Sequence, residues 1–183
     1  MILSRIFGRK KDDAAAHQLY AILAEQARRP VFYRDGGVPD SLDGRFDMLA
    51  LHLFLVLRRL SSKLTSDGDD DLAQQLFDVM FGDMDRSLRE MGVGDLTVGK
   101  RIRTMSEAFY GRVEAYENGL QASDNDSRLM AALERNLYRG NAPERAKLAR
   151  MAAYMREVAD SLAKQASDDF LAGKLSFTAP PVF

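Results

Sequence analysis

Residues 92–101 read GVGDLTVGKR, and two incompatible architectures hang on them. Gly94, Gly99 and Lys100 satisfy G-x-x-x-x-G-K, the spacing of the phosphate-binding loop of nucleotide hydrolases. Such a loop leaves a buried strand and opens a helix, so that its amides converge on the phosphates. Its lysine neutralises them, and a following serine or threonine hydroxyl holds magnesium. Here the residue after Lys100 is Arg101, which cannot coordinate a cation. Upstream, Leu72, Leu76, Met80, Met84 and Leu88 recur with helical period, not with the alternation of a strand. The stretch therefore reads as a connection between two helices. Gly92 is expected to be a left-handed cap ending the first, and Asp95 or Thr97 to cap the second. A nucleotide-binding enzyme using the Gly94–Lys100 loop is the rival reading.

Helical period continues on both sides of this turn. A helix of about 96–120 carries Val98, Ile102, Met105, Phe109, Val113, Tyr116 and Leu120, and the helix before the turn spans about 70–91. Residues 13–28 place Ala16, Tyr20, Leu23 and Ala27 on one side, and Pro30 is expected to end that helix. The run YRDGGVPD, Tyr33–Asp40, makes a loop. A helix of about 41–64 is apolar nearly all round and should be central. The run SDGDDD, Ser66–Asp71, reads as an acidic cap. Ser123 or Asp124 is expected to cap a fifth, shorter helix ending near YRGN. Asn141 then caps a sixth, with Pro143 in its first turn and Glu144 at the capping-box position. That sixth helix has Leu148, Met151, Met155, Val158 and Leu162 on its stripe. The tail FTAPPVF, Phe177–Phe183, cannot continue a helix. The expected fold is all-α, a single-domain bundle of about six helices. The expected organisation is an N-terminal segment at 1–12, a helical domain at 13–175 and a tail at 176–183.

Composition narrows the function classes. A chain of 183 residues suits one domain with a sizeable core, and 46% apolar with 29% charged residues is the balance of a globular protein. With 26 basic against 27 acidic residues there is no general pull toward nucleic acid, and no nucleic-acid partner is expected. Without cysteine there is no disulfide framework, thiol nucleophile or cysteine metal site, and two histidines leave little for zinc. No cofactor is expected. MLALHLFLVL, Met48–Leu57, runs straight into Arg58 and Arg59 and is too short to span a bilayer. The N-terminus matches neither a secretory signal nor an acid-poor import sequence, so the chain reads as a cytoplasmic bacterial protein.

Other signals are weaker. SLAK, Ser161–Lys164, matches the S-x-x-K of penicillin-interacting enzymes but lies in an amphipathic helix without partner motifs. Asp67, Asp69 and Asp71 begin like a calcium loop, yet the turn glycine is replaced by Leu72. His52, alone in the most apolar helix, reads as a core residue. In the N-terminal segment, Ile2, Leu3, Ile6 and Phe7 share one helical face, beside Arg5, Arg9, Lys10 and Lys11. That combination can lie on an anionic membrane surface, or the segment is a frayed end. A lipid-surface adaptor acting through it is a further alternative.

The helices flanking the turn carry unusual polar faces: Asp83, Asp85, Arg86, Arg89 and Glu90 before it, and Lys100, Arg101, Arg103, Glu107, Tyr110 and Arg112 after it. Opposite charges so close in sequence can simply pair in solvent. The whole run LFDVMFGDMDRSLREMGVGDLTVGKRIRTMSEAFYGRVEAYENGL, Leu76–Leu120, however, closely resembles the ubiquinol–cytochrome c chaperone family. The resemblance rests on Asp83–Asp85, Arg89–Asp95, Gly99–Arg101 and Ala108–Arg112. It is joined by the Leu51–His52 pair upstream and RNLYRG downstream, and extends over about residues 31–172.

What the resemblance implies is assembly of respiratory complex III, not catalysis. The partner would be immature cytochrome b or an early complex III assembly intermediate, met at the inner face of the cytoplasmic membrane. Oligomeric state is open. The partner-binding candidates are Asp83, Asp85, Arg86, Arg89, Glu90, Asp95, Lys100, Arg101, Arg103, Tyr110 and Arg112. Holding a membrane-protein segment calls for an adaptable apolar groove, which methionine suits. Met80, Met84, Met91 and Met105 lie near the motif, though ordinary core packing also accounts for methionines at such positions.

Overall fold

The structure, a computed structural model, describes residues 13–61, 67–141 and 143–183, of which 67–70 by their backbone alone. These residues form eight helices and no strand: α1 (Ala14–Ala27), α2 (Pro30–Arg34), α3 (Leu42–Leu60), α4 (Asp67–Glu90), α5 (Asp95–Gln121), α6 (Ser127–Asn136), α7 (Arg145–Ala163) and α8 (Ser167–Leu171). Two are five-residue turns, and the other six run from 10 to 27 residues. The all-α bundle expected from the sequence is the observed fold.

Helix α3 is the axis because its middle is apolar almost all round: 13 of its 19 residues are buried. Helices α1, α4, α5 and α7 surround it, and α6 closes the side between α5 and α7. Its start is fixed by Ser41, whose hydroxyl accepts from the Gly44 amide at 3.1 Å. Gly44 is required there, since a Cβ would lie 1.9 Å from the Pro39 carbonyl oxygen. The α7 stripe predicted from the sequence, Leu148, Met151, Met155, Val158 and Leu162, is buried throughout.

Several boundaries differ from expectation for local reasons. Pro30 opens α2 as well as following α1, because a helix's first position needs no amide hydrogen. Helix α7 begins at Arg145, not behind Asn141. Arg139 and Gly140 both take positive φ, and the Asn141 amide is used in that turn, donating to the Tyr138 carbonyl at 2.8 Å. Asp95 and Thr97 do not cap α5: the N-cap is Gly94, and Asp95 is the first helical residue. The Asp124 carboxylate accepts from the Arg128 amide at 3.3 Å, although the N-cap of α6 is Asp126. Of the expected acidic cap, Ser66–Asp71, the side chains of residues 66–70 lie outside those described, and Asp71 is already inside α4.

His52 is fully buried. Its Nδ1 lies 2.9 Å from the Met48 carbonyl and its Nε2 2.9 Å from the Tyr154 hydroxyl. The Gln26 side-chain amide donates to Tyr154 Oη at 2.8 Å and to the Thr178 carbonyl at 3.1 Å. The Phe177 ring meets His52 edge-on at 5.3 Å. The final residues are thereby tied to the centre of the bundle.

Candidate functional site

The end of α4 and the start of α5 form a hairpin around the glycine turn. Gly92 takes φ +83°, its amide donates to the Arg89 carbonyl at 2.9 Å, and the Val93 amide donates to the Leu88 carbonyl at 3.1 Å. This pair of bonds is a Schellman closure. Arg89 clamps the turn from outside, bonded to Asp85 at 2.6 Å and also to Asp95 across the loop. Asp83 accepts from the Tyr20 hydroxyl of α1 at 2.6 Å and lies 3.8 Å from Arg86. Burial first, then this bond to a carboxylate, push the Tyr20 hydroxyl well above its ordinary pKa.

Between this hairpin and the α1–α3 side lies an open groove of about 790 Å³, the size of a typical ligand or side-chain-cluster site. From α4 and the residue after it come Met84, Leu88 and Met91, an i, i+4, i+7 stripe, with Ser87 between them. From α5 come Thr97, Arg101, Thr104 and Met105, with Lys100 beside them. The opposite wall is Leu42, Phe46 and Leu49, again at i, i+4, i+7, with Asp43 and Arg45; Ala27 at the end of α1 and its C-cap Arg28 close one end. Phe46, Leu49 and Leu88 are buried floor, whereas Leu42 is 52% and Met91 54% exposed at the mouth. Beside them Leu96 is 97% exposed. Three of the four motif methionines thus line a groove, Met84 and Met105 also packing against the core, whereas Met80 is sealed inside it.

Beneath the floor lies a buried ionic knot. Asp47 of α3 is fully buried and accepts from Arg112 of α5 at 2.5 Å and Arg139 at 2.6 Å. Burial pushes the Asp47 carboxyl up while the two guanidinium groups pull it down. The Arg112 guanidinium also lies 5.6 Å from the centre of the Phe46 ring. Arg139 reaches on to Asp43 at 3.1 Å. The knot fixes the start of α3 against α5 and the end of α6, and so holds one wall of the groove.

The structure therefore divides the residues singled out in the sequence. Lys100 and Arg101 stand at the groove. Asp83, Asp85, Arg86, Arg89 and Asp95 brace the hairpin. Arg112 is buried in the knot. Glu90 and Arg103 are exposed. Tyr110, 61% exposed, is stacked on Phe77 at 5.8 Å and faces a second cavity with Phe54 and Val113. The N-terminal candidates Ile2, Leu3, Arg5, Ile6, Phe7, Arg9, Lys10 and Lys11 lie outside the described residues. Arg28, Leu42, Arg45 and Phe46 were not read from the sequence as site residues. The Gly94–Lys100 loop is the N-cap and first turns of α5, with helix on both sides of the turn. Among the described residues no cluster of His, Cys, Asp or Glu could hold a metal, and no helix is long and apolar enough to cross a membrane.

Comparison with known proteins gives a consistent picture. A family model described as ubiquinol-cytochrome C chaperone matches residues 34–177. The ubiquinol-cytochrome c reductase complex assembly factor 1 of Drosophila melanogaster is 27% identical over 159 residues, covering 85% of this chain and 61% of that one. That of Xenopus laevis is 26% identical over 165 residues, covering 90% and 80%. The chain thus spans only about three-fifths of the Drosophila protein. Among solved structures, the Cbp3 homolog from Brucella abortus superposes with a TM-score of 0.80 at 36% identity, covering 91% of this chain and 90% of its own.

Proposed function

The chain belongs to the ubiquinol–cytochrome c chaperone family, and from that premise we propose that it is a non-enzymatic assembly chaperone whose groove holds an apolar segment of immature cytochrome b, or of an early ubiquinol–cytochrome c reductase intermediate. The observation that carries the reading is the groove's lining. Met84, Met91 and Met105 face a buried floor of Phe46, Leu49 and Leu88. Unbranched, polarisable methionine side chains repack around apolar partners of differing shape, which suits a holder of unfolded segments better than a rigid pocket does. Half-exposed Leu42 and Met91 supply contact area at the mouth. On this reading the protein acts at the inner face of the cytoplasmic membrane, where such segments are inserted.

The test is a photo-crosslinking residue placed at Met91, with a second placed at exposed Glu157 on α7 as a control. In respiring cells the Met91 position should capture cytochrome b or a complex III precursor, and the Glu157 position should not. Met91→Glu should lower the level of assembled complex III. Normal complex III in cells lacking the gene would sink the proposal.

A further inference from the structure

The cations at the groove are unbalanced in a way that the rest of the hairpin is not. On α4, Arg86 lies against Asp83, and Arg89 against Asp85 and Asp95. At the groove, Arg28, Lys100 and Arg101 have no carboxylate within ion-pair distance among the described residues. The groove's own carboxylate, Asp43, is taken by Arg139 at 3.1 Å, and Arg45 is held by Asp40 at 2.7 Å. The chain as a whole carries a net charge of −1, so this local excess of positive charge is a property of the site. An apolar groove with unpaired cations at its edge complements an apolar segment that brings carboxylates with it. It repels one that brings lysine or arginine.

Resting on the reading that the groove holds an apolar client segment, we infer that it selects by the charge at that segment's end. It seats apolar peptide segments flanked by aspartate or glutamate and turns away those flanked by lysine or arginine. Membrane segments carry their lysine and arginine excess on the cytoplasmic side. The groove therefore engages the end of a segment that is destined to cross, and leaves the basic end free for the membrane surface. Lys100 and Arg101 are the discriminating residues, about two turns behind the hairpin tip and next to the apolar mouth.

Two labelled peptides with the same leucine–alanine core, one flanked by glutamates and the other by lysines, test this by fluorescence anisotropy with the full chain. The glutamate-flanked peptide should bind about tenfold more tightly, and raised salt should narrow the difference. The double substitution Lys100→Glu, Arg101→Glu, at two exposed positions with folding checked by circular dichroism, should reverse the order. Met91→Glu should weaken binding of the glutamate-flanked peptide. Equal affinity for both peptides, abolished by Met91→Glu, would overturn the charge selection and leave the groove reading standing. A glutamate preference that survives the double substitution would also overturn it. Binding of neither peptide would remove the groove reading as well. Binding of phosphatidylglycerol vesicles through Lys100 and Arg101, with no peptide bound, would make the site a lipid contact and overturn the inference.

Discussion

His52 carries its proton on Nδ1, because the Met48 carbonyl facing that nitrogen can only accept. Nε2 is then an acceptor, and the Tyr154 hydroxyl donates to it while accepting from Gln26. Charging the ring would strand the Tyr154 proton as well as bury a cation. Burial pushes the imidazole from 6.5 down to about 4. Between those values the unfolded chain binds one proton more than the folded one. The contribution to stability is therefore complete above about pH 6.5 and lost as the pH falls toward 4, a span worth about 3 kcal/mol. Urea unfolding near pH 7.5 and pH 4.5 should show this loss, and His52→Gln, less stable at neutral pH, should show a smaller one. Asp40 and Asp85 are held below the ordinary carboxylate range by Arg45 and Arg89, so their titration falls lower. An equal loss in both proteins would assign the effect to other groups. The core position of His52 was legible because it is the one polar residue in the apolar run Met48–Leu57. Asp47 sends the same signal five residues earlier, yet its partners, Arg112 and Arg139, come from elements that only the tertiary fold brings together.

Within the hairpin, the same substitution has opposite consequences at neighbouring glycines. Gly92 sits at φ +83° with nothing near its would-be Cβ, so alanine there meets only backbone strain. Gly92→Ala should lower stability by about 1 kcal/mol. Gly99 lies inside α5 with equally open space and ordinary helical φ, so Gly99→Ala should raise stability by about 0.5–1 kcal/mol. Thermal melts of the two variants should move in opposite directions, and a fall for both would mean that the space at Gly99 is not open. The turn itself was readable from the sequence, since a left-handed glycine after an apolar stripe has one obvious use. The helix starts at Asp95 and Arg145 were less so. Asp95 is drawn to Arg89, and Asn141 is used in the turn that ends α6, so each favoured capping residue serves a different contact.

Across the molecule, the bundle followed from apolar periodicity, whereas the groove did not. Periodicity identifies which residues leave water but not which apolar stripes fail to be fully covered by a neighbour. Leu42, Phe46 and Leu49 look like any core stripe, and only their placement opposite Met84, Leu88 and Met91 opens a site between them. The same placement sorts the methionines by their reach to solvent. Met48, Met80, Met151 and Met155 are sealed at 0% exposure, Met84 and Met105 are half-covered, and Met91 stands at 54%. Oxidation of a thioether follows access and turns an apolar side chain polar. Among the described methionines, peroxide should therefore convert Met91 to the sulfoxide first and the groove pair next, with the four sealed residues last, an order that peptide mass spectrometry of a timed exposure can read. Sulfoxide at Met48 or Met80 ahead of Met91 would contradict it. Among the described residues the readily oxidised methionines all line the groove, so oxidative stress would turn that lining polar while the fold stays intact, and methionine sulfoxide reductase could restore it without new synthesis.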